Sequence, residues 1–160
     1  MRLRPHRRPV PEAVCAVPVR RLAWGLTQDG LALVASVDAL HLGPGEALPW
    51  TEVEKAVWQP PALTVTEVSE VEGSGRTRTF VLAEDDHLAE VVRARVTSSV
   101  GWSDRHRLEP TGQVRLVGRR LPDQDALQWQ LVFGQAADAA DPAKRAQAEQ
   151  MVASLRRTIG

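Results

Sequence analysis

The sequence predicts an α+β fold: an antiparallel β-sandwich or split barrel of about nine short strands, with one central and one C-terminal helix. Three observations carry this. From Trp24 to Leu82 the chain breaks into short apolar runs, each closed by turn chemistry at Asp29-Gly30, Val37-Asp38, Gly43-Pro44-Gly45, Pro60-Pro61 or Gly73-Ser74-Gly75. From Leu88 the apolar spacing lengthens to that of a helix. Between Val100 and Phe133 three further runs alternate as strands, and their registers agree on one buried face.

In the first region, Arg21 to Thr27, Leu31 to Ser36 and Ala39 to Gly43 read as strands, the first two joined across Gln28-Asp29-Gly30, where Gly30 can take a positive φ. Val53 to Trp58, Leu63 to Ser69 and Thr77 to Leu82 follow, the last placing Phe80 and Leu82 on one face. Leu88, Val91, Val92 and Val96 then share a helical face over 85–98, with Glu84, Asp85 and Asp86 gathered at its start and Arg93 and Arg95 near its end, as the helix dipole favours. A second helix is signalled by Asp141 as N-cap and Pro142 at the first helical position. Its stripe is Ala148, Met151, Val152, Leu155 and Ile159.

The meander runs from Val100 to Leu108, Gln113 to Leu121 and Ala126 to Phe133. Pairing Leu108 with Val114 keeps Val100, Trp102 and Leu108 on the side of Val114 and Leu116. In the next hairpin Val114 pairs with Phe133, Leu116 with Leu131, and Gly118 with Trp129, whose ring can cover the glycine gap.

Residues 1–18 combine arginine and proline without periodicity and read as a mobile basic arm. Residues 19–160 read as a single domain, with strands and a helix over 19–99 and the meander and second helix over 100–160. Basic and acidic residues balance at 20 each, so no global field selects nucleic acid or membrane as a partner. Cys15 is the only cysteine, which excludes an intrachain disulfide and a cysteine-built metal site. Prolines at 5, 9, 11 and 18 break the opening segment, which lacks a signal peptide's apolar core, and no run approaches the roughly 20 apolar residues of a membrane span. A cytoplasmic location is expected.

One constellation suggests binding. The register argued above sets Arg107 across from Arg115 on the face taken to meet solvent, with Arg105 two residues along its strand and Arg119 further up the neighbour. Facing like charges cost up to about 1 kcal/mol unless an anion or acidic group compensates. Arg105, Arg107, Arg115 and Arg119 are therefore the candidate site for phosphate, nucleic-acid backbone, anionic lipid or an acidic partner, against the plainer reading of a solvated arginine face. The basic arm could add to such binding. His6, His41, His87 and His106 show no metal-binding spacing, and no metal or cofactor is expected. Asp104 and His106 share a strand face at i and i+2, but no nucleophile accompanies them, which favours a structural role.

The runs Trp24-Gly25-Leu26-Thr27, Leu31 to Val34, Leu40-His41-Leu42, Leu48 to Trp58 and Leu63-Thr64-Val65 together resemble a bacterial pleckstrin-homology-like domain, chiefly over 20–99. The segment Arg95 to Val100 and the Asp141-Pro142 helix start resemble, more closely, actinobacterial proteins of about this length. The resemblance implies a fold and a scaffold for binding; it implies no activity, and no site residues transfer from it. The chain departs from the pleckstrin pattern in its three further strands and second helix.

The first functional expectation is a non-enzymatic interaction module of the cytoplasm, recognising an acidic protein or an anionic surface through a sheet face; an exposed edge strand or an oligomer contact fits this too. The alternative is a nucleic-acid-associated protein using the arginine patch and the arm, with steeply salt-dependent affinity. A third reading, an enzyme built on Asp104, His106 and the acidic cluster at 84–86, would need a deep pocket around those groups.

Overall fold

The computed structural model describes residues 9–159. A four-residue helix α1 (Glu12–Cys15) precedes four antiparallel strands, β1 (Ala23–Thr27), β2 (Ala32–Ala35), β3 (Ala39–Leu42) and β4 (Ala47–Pro49). A 3-10 turn, Trp50–Glu52, leads into β5 (Val53–Gln59), β6 (Ala62–Glu67) and β7 (Thr77–Asp86). These seven strands form one curled antiparallel sheet in the order β4-β3-β2-β1-β7-β6-β5, a half-barrel. The curl follows from β7, ten residues long. Its first half pairs with β6, from Thr77 opposite Thr66 to Val81 opposite Ala62, and its second half pairs with β1, from Leu82 opposite Thr27 to Asp85 opposite Gly25. A bulge between Leu26 and Thr27 turns the sheet where the two halves meet.

Helix α2 (Leu88–Ser99) packs on the sheet's inner face. Leu88, Ala89, Val92 and Val96 meet Leu33, Leu40, Leu48, Trp50, Val53, Leu63, Val65 and Leu82, so every strand of the half-barrel contributes to one core. Each large apolar side chain withdrawn in this way stabilises the fold by about 1.5–3 kcal/mol. The acidic residues expected at the helix start are instead the end of β7. Asp85 still serves the helix, its Oδ2 accepting the Leu88 N–H at 3.3 Å.

The stretch expected to be a mobile arm divides in two. Residues 1–8 lie outside the described part, whereas over 9–18 the chain is docked: Val14 and Val17, 0 and 2 % exposed, pack with Trp24, Ala32 and Val34 on the outer face of β1 and β2. That contact explains why β2 is apolar at every position, because both of its faces are covered.

Strands β8 (Val100–Arg107), β9 (Gln113–Arg120) and β10 (Leu127–Phe133) make the second sheet, in the order β10-β9-β8, followed by α3 (Ala136–Ala140) and α4 (Pro142–Ile159). Asp141 caps α4 as expected, its Oδ1 accepting the Ala143 N–H at 2.9 Å. Ala148 and Val152 of α4, with Met151 and Leu155, cover Leu108, Val114, Leu116, Trp129, Leu131 and Phe133. The β9–β10 register is the expected one, with Val114 opposite Phe133, Leu116 opposite Leu131 and Gly118 opposite Trp129. A Cβ on Gly118 would lie 2.8 Å from Leu127 Cδ1 and 3.3 Å from both Trp102 Cβ and the Trp129 ring, so the glycine makes room for the Leu127 side chain and the Trp129 ring.

The β8–β9 register is corrected by two residues. Val114 lies opposite His106, not Leu108, and Arg115 lies opposite Arg105, while Arg107 faces Gln113. The Leu108 N–H donates to Gly112 O at 2.9 Å, which closes the hairpin earlier than expected. The slide leaves the side chains from Trp102 onward on their expected faces, whereas a bulge between Val100 and Trp102 sets Val100 opposite Arg119, on the arginine face and not with Val114 and Leu116 as expected. Among the described residues no helix is long and apolar enough to cross a membrane.

Candidate interaction edge on the second sheet

The sheet face that carries the arginines does not look out to solvent along its whole length. It packs toward the half-barrel, and its middle is buried: Val117 is 3 % exposed and Arg119 also 3 %. Arg119 Nε donates to Gln130 Oε1 at 3.1 Å and its Nη1 to Ser99 Oγ at 2.9 Å at the end of α2, while Gln130 Nε2 donates to the Thr51 carbonyl at 2.7 Å. Burial, then the neighbouring Arg115 charge, push the Arg119 pKa down against the pull of Glu54. Arg115 Nη2 reaches Glu54 Oε1 of β5 at 3.2 Å, both side chains being largely covered. Arg105 Nη2 lies 2.8 Å from Glu72 Oε1 in a more exposed pair. Arg107 is exposed and forms no ion pair among the described residues.

The four arginines thus share a face but do not form one open patch. Arg119 and Arg115 join the two layers, and Arg105 and Arg107 are the pair on the surface strand. Their repulsion is met from within the chain, by Glu54 and Glu72 from the half-barrel side. Neither carboxylate is near the meander in sequence, so no local pattern pointed to them.

The strand bearing that surface pair is the most open element of the second sheet. Seven of the eight residues of β8 are exposed and His106 is half-buried. Val100 and Trp102 are 38 and 37 % exposed, high for apolar residues on a sheet. Helix α4 lies over β9 and β10. The opposite edge of the sheet is partly covered, since Phe133 N–H donates to Glu70 O at 2.7 Å and Glu72 N–H to Phe133 O at 2.8 Å. Arg145 of α4 holds the same covering segment, its guanidinium 3.2 and 3.1 Å from the two Glu70 carboxylate oxygens. Among the described residues β8 ends the sheet with no strand beyond it.

The direction of its backbone groups follows from the hairpin. Leu108 turns its N–H to β9, and in an antiparallel ladder successive residues alternate. Residues 104 and 106 therefore bond to β9, while Ser103, Arg105 and Arg107 present N–H and C=O outward. The Arg105 N–H confirms the phase: it is taken by the Asp104 carboxylate, Oδ1 at 2.9 Å, and not by β9. Asp104 Oδ2 lies 3.6 Å from His106 Nε2, the pair noted in the sequence, and that nitrogen has no hydrogen-bond partner among the described residues. No nucleophile joins them, and none of the principal clefts contains either residue.

A cleft of about 800 Å³ lies elsewhere, where Val37 and Asp38, the Trp50–Thr51 turn, Arg95 and the 120–125 hairpin meet. Comparison of the chain with protein-family models, curated proteins and solved structures returns no match.

Proposed function

We propose that the protein is a non-enzymatic interaction module whose β8 edge receives an extended segment of a partner protein. The supporting observation is the edge itself: an eight-residue terminal strand, exposed at every position but the half-buried His106, with an aromatic side chain in the open and three residues whose backbone groups point outward. An added strand gains affinity from main-chain hydrogen bonds and specificity from alternate side chains. The half-barrel and α4 hold the rest of the sheet rigid behind it, so the receiving strand is ordered before the partner arrives, which lowers the cost of binding. The pleckstrin-like resemblance of 20–99 is consistent with a scaffold role for the half-barrel.

Ser103→Pro provides the test. It deletes one outward N–H, leaves every charge in place and spares the bonds to β9, a position where an edge strand tolerates proline. Capture from native extract should recover a protein with the wild type that the folded Ser103→Pro variant does not hold. Equal recovery by both contradicts the reading.

A further inference from the structure

Resting on the reading of β8 as the receiving edge, we infer that its occupant is an extended partner segment in which acidic and apolar residues alternate. The argument is one of register and charge. In an antiparallel or parallel addition, residues paired across the new ladder lie on the same face as their partners on β8. One face of β8 presents Arg105 and Arg107. Arg107 has no ion pair among the described residues, and Arg105 has only the exposed contact with Glu72, a type of pair that is easily exchanged. Arg115, directly behind Arg105, is already paired with Glu54, which leaves Arg107 as the uncompensated charge of this face among the described residues. Carboxylates on that side of an incoming strand would pair with Arg107 and could replace Glu72 at Arg105.

The other face presents Trp102, exposed beside Gly118 and near Trp129, whose indole Nε1 is buried without a hydrogen-bond partner among the described residues. Apolar side chains on that side of the incoming strand extend the cluster of Trp129, Leu131 and α4 outward across Trp102. Asp104 shares this face and makes it selective. Its negative charge opposes acidic residues there, so an acidic segment without alternation is disfavoured while an alternating one is accepted. Asp104 also occupies the Arg105 N–H that an incoming carbonyl needs, which disfavours strands that bring no compensating charge. A second copy of the chain pairing through β8 fits poorly. Antiparallel pairing that sets Asp104 against His106 of the other copy also sets Arg105 against Arg105.

Three eight-residue peptides test this against isotope-labelled protein: one alternating Glu with Val or Leu, one alternating Lys with Val or Leu, and one of the first composition with its acidic residues in a block. The first should shift and protect the amides of Ser103, Arg105 and Arg107, bind at least tenfold more tightly than the other two, and lose affinity as salt rises. Arg105→Glu with Arg107→Glu should reverse the preference between the acidic and basic peptides. Equal protection of these amides by all three would overturn the alternating-acidic inference while leaving the edge as the receiving site. Protection by none, or shifts confined to other elements, would overturn both.

Discussion

Arg119 of β9 reaches out of its own sheet to donate to Ser99 Oγ, 2.9 Å away, at the last turn of α2. With Arg115–Glu54 and the Gln130 bond to the Thr51 carbonyl, it makes the boundary between the two layers polar. Arg119→Ala leaves Ser99 and Gln130 without this donor and should cost about 1–3 kcal/mol in urea unfolding. Its depressed pKa is that of a base which is charged in both states through the neutral range. The burial penalty is therefore constant there, and the difference between variant and wild type should not change with pH near neutrality.

Gly118 is the second point of constraint. Gly118→Val places side-chain atoms against Trp102, Trp129 and Leu127 and should destabilise by about 1–3 kcal/mol. Tryptophan fluorescence should report the displacement of the rings as well as the lower unfolding midpoint.

The docked segment at 9–18 contributes through two valines. Val14→Ala with Val17→Ala removes methyl groups from a fully buried site beside Trp24 and should cost about 1–3 kcal/mol in total. It should also raise the rate of proteolytic cleavage before residue 20. An unchanged cleavage rate would mean that this contact does not hold the segment.

A pH-dependent contact lies on the half-barrel. The hydrogen bond from Arg78, reinforced by its charge, holds Glu46 below the usual carboxylate range. A carboxylate depressed in the folded state contributes stability above its unfolded pKa and loses it as pH falls through the folded one. Arg78→Met should return the Glu46 titration, followed by NMR, to the ordinary glutamate range.

The strands of the first region were legible because short apolar runs are closed by turn residues at each of them. β4 was missed, having only Ala47, Leu48 and Pro49 to show. α1 was missed because two valines three apart, among prolines, carry almost no periodicity. The β9–β10 register was readable from Gly118 and Trp129, a pairing that a slide in either direction would break. The β8–β9 register was not, because apolar patterning distinguishes a one-residue slip, which exchanges faces, but is blind to a two-residue slide. The same blindness set Arg107 opposite Arg115. That the arginine face is partly covered had one local sign: Val117 and Val132 lie on it, and an apolar pair on a supposed solvent face implies a second layer. The acidic partners, Glu54 and Glu72, come from distant segments and were beyond local reading.

The central claim is that β8 is an open edge that a partner strand closes, and amide hydrogen exchange of β8, free and partner-bound, tests it most directly. In the free protein Ser103 and Arg107 should exchange rapidly, Arg105 more slowly because of Asp104, and His106 and Leu108 slowest within the ladder. On binding, Ser103, Arg105 and Arg107 should become protected while His106 and Leu108 change little. Protection of Ser103 and Arg107 already in the free protein, or their continued rapid exchange in the complex, would contradict the account.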